Sequence, residues 1–431
     1  MIEILYIFFQ ILLILLFFLG PLNFKICRKF INNDIYIFDL LVFNTLLNTS
    51  ILLFFSFYQI NIYFIYCSII LLNLISFFSS LRLFWSNFKY ENNHKIFLFF
   101  IICFLSLSIL MASDPKLTWD GIAHWYWKAM NYNQLGSYEN LKNMPMAYYP
   151  HLGSYIWSFF WSINPMNNEY YGRLFFIFVF LIPFFSASHR IKNIKIEILL
   201  ITILFLIFFT FDKFLIGGYQ EYLLFFLFYS FSLIIFLNDK GQNKTLIIFS
   251  FLALLLMMWV KQEGLFYSII LTLILISFFK ISKIYKVAFI ILTIIAIISM
   301  QEVRTTYHGS FNLNENMFHE NLLKYLDIRI FIETFYLITY EIFKGMIKYP
   351  IWLLILILTI YDYFKGEKFL NLNNVLIILY IGLIYAIYFQ TNMDIDMLMP
   401  LTLDRVLIHG TGFYLIFIFL KVSNLISSTS K

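Results

Sequence analysis

Thirteen stretches of this chain are apolar for close to the length a helix needs to cross a bilayer core, about 17–25 residues. They run 4–20, 37–57, 61–81, 96–112, 168–188, 196–211, 220–237, 246–262, 264–279, 286–300, 347–364, 372–390 and 406–421. Backbone groups in lipid must find their hydrogen bonds within the segment or in a closed barrel, so runs of this length predict helices. Charge agrees with this reading: 13% of the 431 residues are charged and 61% hydrophobic, against roughly 25% charged in soluble domains. That shortage excludes a soluble enzyme, a disordered chain and a nucleic-acid-binding protein. The expected fold is all-α, a polytopic transmembrane bundle of about 11–13 spans forming one integral membrane domain over 1–431.

Orientation follows from Lys and Arg in the short loops. With the N terminus outside, eighteen of the thirty basic residues fall on the cytoplasmic side, in groups such as Lys25-Arg28-Lys29, Arg190-Lys192-Lys195 and Lys280-Lys283-Lys286. Of the 24 acidic residues, only Asp34, Asp39, Glu91, Glu197, Asp239, Asp362 and Glu367 fall there. Met1-Ile2-Glu3 has no basic n-region and Gly20-Pro21-Leu22 is a poor cleavage site, so the first apolar run is expected to remain as a span. Cys27, Cys67 and Cys103 show no paired spacing, and neither a disulfide framework nor a zinc site follows.

The chemistry is then expected in two long outer connections, 113–167 and 301–346, and at the outer helix ends. The first holds half of the eight prolines and five of the eight tryptophans, Trp119, Trp125, Trp127, Trp157 and Trp161. The 55 Phe track an AT-rich codon bias, but Trp does not, so its clustering marks an interfacial belt or rings that stack on a ligand. Residues 152–163 are too short to span and predict an amphipathic helix lying along the interface. In Thr118-Trp119-Asp120-Gly121-Ile122-Ala123-His124-Trp125-Tyr126-Trp127-Lys128, a helix would set Asp120, His124 and Lys128 on one side at i, i+4 and i+8. The plain alternative is an interfacial helix with charges turned to water. Tyr148-Tyr149-Pro150-His151 reads equally as a turn or as ring and imidazole contacts for a ligand. Polar clusters end later spans: Asp212-Lys213 with Gly217-Gly218-Tyr219-Gln220-Glu221, then Trp259-Val260-Lys261-Gln262-Glu263-Gly264, then Leu403-Asp404-Arg405. Lys261 breaks the positive-inside bias, which favours a cation held beside a cleft over a simple hairpin tip. Asp394-Ile395-Asp396 spells a metal-binding acidic pair, but on the outer side it reads as chance.

Taken in order, Trp119-Asp120-Gly121 with His124-Trp125 and Lys128, Tyr149-Pro150 with Gly153-Ser154, Lys261-Gln262-Glu263-Gly264 and Asp404-Arg405 resemble the motifs of the polytopic GT-C glycosyltransferases. That superfamily includes protein mannosyltransferases and aminoarabinose transferases. The resemblance extends from about residue 118 to 409, and two features depart from it. The large loop follows the fourth span instead of the first, so either the N-terminal helices are an addition or the span count differs. The second acidic motif reads Gln220-Glu221.

The resemblance implies a multi-pass transferase of the cytoplasmic membrane, active face outward. It would take a sugar from a polyprenyl-phosphate donor to a cell-envelope glycan, lipid or protein acceptor, with no obligatory cofactor or metal. Asp120 matches the family's reacting acidic residue, and Glu221 is the second candidate. Lys261, Arg405 and Arg304 are candidates for the donor phosphate; Trp119, His124, Lys128, Tyr149, His151 and Glu263 for substrate contacts. A transporter or lipid flippase, or a polysaccharide polymerase or ligase, is the alternative. A cysteine introduced at 140 is expected to react with an impermeant reagent from outside and one at 242 only from the cytoplasm; labelling of 140 only from the cytoplasm would overturn this topology.

Overall fold

A computed structural model describes residues 2–20, 36–58, 60–88, 93–135, 140–147, 149–191, 194–209, 217–238, 243–278, 281–307, 325–365, 372–389 and 395–429. Asp212-Lys213, Tyr148, Asp394 and position 242 lie outside these residues. Every apolar run of the sequence falls in or overlaps a helix, and no strand occurs among the described residues. The first four helices are α1 (Ile2–Phe18), α2 (Ile37–Phe55), α3 (Ile62–Phe88) and α4 (Asn93–Ser113). A π-helical turn (Gly121–Tyr126) leads into α5 (Trp127–Leu135), followed by α6 (Leu152–Ser162), α7 (Tyr170–Ser188) and α8 (Ile194–Phe209). Then come α9 (Glu221–Leu237), α10 (Lys244–Val260), α11 (Gln262–Phe278) and α12 (Lys283–Tyr307). The last four are α13 (Ile328–Lys348), α14 (Pro350–Phe364), α15 (Leu372–Phe389) and α16 (Ile395–Thr429).

Helices α7 and α9 form the centre. Every residue of α7 is buried, as are all of α9 from Glu221 to Ile234. Helices α2, α6, α10 and α16 surround them, with α1, α3, α4 and α11–α15 outside. A helix apolar on all sides belongs in such a core. Small residues set the closest approaches, as expected where helices pack without a water-driven force. A Cβ on Gly412 of α16 would lie 2.1 Å from the Phe225 carbonyl oxygen of α9, and one on Gly172 of α7 would lie 2.2 Å from that of Trp157 in α6.

Five helices (α2, α4, α7, α12 and α16) are long and apolar enough to cross a bilayer, and α13 with α14 would make a sixth, bent by 98°. The expected 11–13 full-length spans are therefore not all present as such. Helices α1, α9, α10 and α11 have 17 residues each, about 25 Å, because the runs read from sequence stop at the charged clusters. The segment 301–346 is largely helical where described. Helix α12 continues to Tyr307, and α13 turns Ile338, Ile342, Gly345 and Met346 inward while Phe335, Tyr336, Phe343 and Ile347 stay exposed. The helix expected to lie along the interface, α6, is instead buried from Leu152 to Trp161 between α5, α7, α2 and α10. Its polar residues are serines, small enough to bury: Ser154 donates to the Trp125 carbonyl at 3.1 Å, and Ser162 to that of Ser158 at 2.9 Å.

Buried charge is confined to two ends of the bundle. At the C-terminal end of α7, Arg190 donates to Asp39 at 3.0 and 3.1 Å, Ser186 donates to the same carboxylate, and the Tyr229 hydroxyl donates to Ser186 at 2.6 Å. Ser423 of α16 donates to the Arg190 carbonyl at 3.2 Å, so this knot joins α2, α7, α9 and α16. The other charged end lies around the N-terminal end of α7, roughly 28 Å away by its 19 residues. Asp39→Ala leaves Arg190 buried without its acid and is expected to cost about 3–5 kcal/mol. Thermal unfolding in detergent reads this, and an unchanged midpoint would show that the knot is not a structural pin.

Candidate functional site

The second charged end is assembled from four segments, each fixed by local chemistry. The 113–120 stretch is tied to α7 by Arg173, which is fully buried, pairs with Glu169 at 2.6 Å and donates to the Pro115 carbonyl at 2.5 Å. Thr118 donates to the Gly217 carbonyl through both its N–H, 3.1 Å, and its hydroxyl, 3.0 Å. A Cβ on Gly121 would come within 2.1 Å of that same oxygen, and one on Gly153 within 1.8 Å of Gln220 Oε1. Gly218 has φ +83°, the left-handed region glycine favours. At the α10–α11 junction a Cβ on Gly264 would meet the Met257 carbonyl oxygen at 1.9 Å. The motif glycines thus let polar segments approach closely enough for their charges to meet.

Asp120 forms an ion pair with Arg405 of α16, whose guanidinium also lies 3.9 Å from Glu221 and over the Tyr219 ring at 5.3 Å. Lys261, in extended backbone between α10 and α11, donates to Glu221 at 2.9 Å and lies 3.7 Å from Glu263. Three carboxylates thus face two cations. Burial alone would lower the Lys261 pKa; Glu221 and then Glu263 overcome this and hold it above the ordinary lysine value. The tip reading of Lys261 fails, since its ammonium is buried against acid.

His124 Nδ1 lies 3.8 Å from Asp120, and its ring meets Tyr149 edge-on at 4.5 Å and Trp119 at 5.6 Å. Trp119 itself is 68% exposed, a ring open to a partner. The 118–128 segment is not the regular helix expected. The π turn adds a residue to the turn and carries Lys128 away from Asp120. Lys128 is fully buried and donates to the carbonyls of Met146, 2.8 Å, and Tyr149, 2.9 Å. Among the described residues no carboxylate pairs with it. Burial, and then the charge of Arg304 nearby, push its pKa well below the usual lysine value. His151 sits apart in the core, its Nε2 2.8 Å from the Ser56 hydroxyl and its ring against Phe57 and Trp259. Its surroundings are those of a packing residue joining α6 to α2.

Asp120, Glu221, Lys261, Glu263, Arg405, His124, Tyr149 and Trp119 therefore share one cluster, with Lys128 and Arg304 beside it. Asp404 pairs with Lys348 at 2.6 Å. Asp396 is exposed, and among the described residues no three His, Cys, Asp or Glu side chains are placed to hold a metal ion. Sequence reasoning missed the Arg173–Glu169 clamp, legible only as an i, i+4 pair, and the buried polar residues one turn below the cluster. Comparison with family models, curated proteins and solved structures gave no match to the chain.

Burial, then Lys128, lowers both His124 and His151 from 6.5 to about 3, with Lys261 contributing at His124. Unfolded, each takes a proton as pH falls through 6.5, whereas the folded protein resists until about 3. Stability is therefore lost as pH drops through this window, by up to roughly 1.4 kcal/mol per pH unit for each histidine. His124→Gln and His151→Gln should each flatten the decline in thermal midpoint between pH 6.5 and 4; an unaltered slope in both would refute the assignment.

Proposed function

We propose that the protein is a membrane glycosyltransferase that moves a sugar from a polyprenyl-phosphate donor to an acceptor hydroxyl at the outer face of the cytoplasmic membrane. The observation that carries this reading is the meeting of Asp120, from the 113–167 connection, with Arg405 and the Lys261–Glu221 pair at one end of an apolar bundle. The acceptor oxygen attacks the anomeric carbon as the carbon–oxygen bond to the phosphate breaks. Asp120 takes the acceptor proton, with Glu221 as the second candidate base. The electron pair leaves on the lipid phosphate, which needs cations in place as charge develops.

Two arrangements support those roles. Arg405 occupies Asp120, so a donor phosphate that draws the guanidinium toward itself frees the base at the moment it is needed. Lys128 is bonded only to carbonyls and ring faces, with Arg304 near it, and an anion gains more there than at Lys261, which Glu221 already neutralises. Tyr149, Trp119 and Trp125 offer ring faces for a sugar.

The bent α13–α14 pair favours a transporter or lipid flippase, since such proteins use broken spans. They carry them in corresponding halves, however, and among the described residues this pair stands alone. A polysaccharide polymerase or ligase would share the same cluster and differ in its pyrophosphate-linked donor. Asp120→Asn, in protein that folds and inserts, is expected to reduce transfer from a polyprenyl-phosphate sugar by about 10²–10⁴-fold. Near-normal turnover in a transfer assay removes Asp120 from the mechanism, and substrate movement without transfer selects the transporter.

A further inference from the structure

One helical turn below the ion pairs, the bundle keeps hydrogen-bonding groups that the described residues leave unmet. His409 follows Arg405 by four residues on α16, and Tyr267 follows Glu263 by four on α11, so each lies beneath its charged neighbour. The Tyr267 hydroxyl is 3.2 Å from His409 Nδ1. Tyr380 of α15 packs on Tyr267, but its hydroxyl is committed, donating to the Val406 carbonyl and accepting from the Gly410 N–H at 3.0 Å. His409 Nε2 is fully buried and has no partner among the described residues.

The same holds for both amide atoms of Gln220 and of Gln262, which are 0% and 3% exposed. These glutamines are the chain neighbours of Glu221 and Lys261, the two residues joined at 2.9 Å. Five unmet atoms around one cluster are costly to a fold, and such groups call for a function.

Their chemistry selects the ligand. Each amide offers one donor and one acceptor atom, and Nε2 offers whichever role Tyr267 leaves to it. A hydroxyl both donates and accepts, and neighbouring hydroxyls on a ring can answer an amide on both atoms. An anion would leave the two amide oxygens opposed, and would have to displace Glu221 or Asp120 from the cations they already hold. A cation would meet Lys261 and Arg405.

We propose that Gln220, Gln262 and His409 form a neutral subsite, set against the ion-paired cluster, that binds an uncharged, hydroxyl-rich ring. The subsite deepens the transferase reading, and rests on it only in taking that ring to be the transferred or accepting sugar.

The test uses the full chain in a detergent without a sugar headgroup, with thermal unfolding read against hexyl glycosides of glucose, galactose and mannose and against hexyl phosphate. At least one glycoside raises the wild-type midpoint. Gln262→Met removes two unmet atoms at similar volume, so it raises the ligand-free midpoint while weakening the glycoside about tenfold and leaving the hexyl phosphate response unchanged. His409→Gln, whose amide reaches the Nε2 position, keeps the glycoside response, and His409→Asn, which reaches only the Nδ1 position, loses it.

The proposal is overturned if no glycoside shifts the wild type, if Gln262→Met lowers the ligand-free midpoint, or if glycoside affinity is the same in Gln262→Met and His409→Asn as in wild type. A wild-type protein that responds to the glycoside but transfers no sugar overturns the transferase reading alone. Transfer that proceeds equally in Gln262→Met and His409→Asn overturns the subsite alone.

Discussion

A charge inside an apolar bundle must meet its opposite, and that constraint organises this protein. Removing a carboxylate or ammonium from water costs several kcal/mol per ion unless a partner and further hydrogen bonds repay it. The chain carries few charges, and the buried ones gather into two sets near opposite ends of α7, roughly 28 Å apart by that helix's 19 residues. This is close to the thickness of a hydrocarbon core. Asp39 with Arg190 closes one end, whereas Asp120, Glu221, Lys261, Glu263 and Arg405 crowd the other.

The two sets differ in completeness. Around Asp39 the hydroxyls of Ser186 and Tyr229 and the Arg190 guanidinium form a closed chain of bonds, as a structural pin requires. Around Lys261 the acids outnumber the cations, and Glu221 Oε2, Glu263 Oε2 and both glutamine amides have atoms with no partner among the described residues. Folds pay in stability for such surplus where they bind or react. The contrast between a satisfied end and an unsatisfied one locates function more firmly than any single motif does.

Hydropathy makes the helices legible because apolar length is a local property. The shared side of Asp120, Glu221, Lys261 and Arg405 is legible too, since the bias of Lys and Arg fixes orientation. Their contacts are not: Asp120 and Arg405 are 285 positions apart, and no periodicity says which helix end meets which loop. Burial of α6 was hidden because Ser154, Ser158 and Ser162 look like a polar stripe until the carbonyls that accept from them are known. In α13, Arg329, Glu333, Glu341, Lys344 and Lys348 lower the mean hydropathy, so a span search passes over a helix whose 3.6-residue pattern is present. His409 and Tyr267 could have been found by stepping four residues from Arg405 and Glu263.

The π turn at Gly121–Tyr126 has a consequence for how this segment tolerates changes in length. Its i→i+5 bonding accommodates one residue more than an α-helical turn, and each residue corresponds to about 100° of rotation. Lys128 reaches the carbonyls of Met146 and Tyr149 only in that phase. Loss of one codon between Asp120 and Lys128 would restore a regular helix and swing the ammonium out of its pocket, although every chemically active side chain remained in the gene. At this place the reading length of the chain, independent of residue identity, decides whether a buried cation exists.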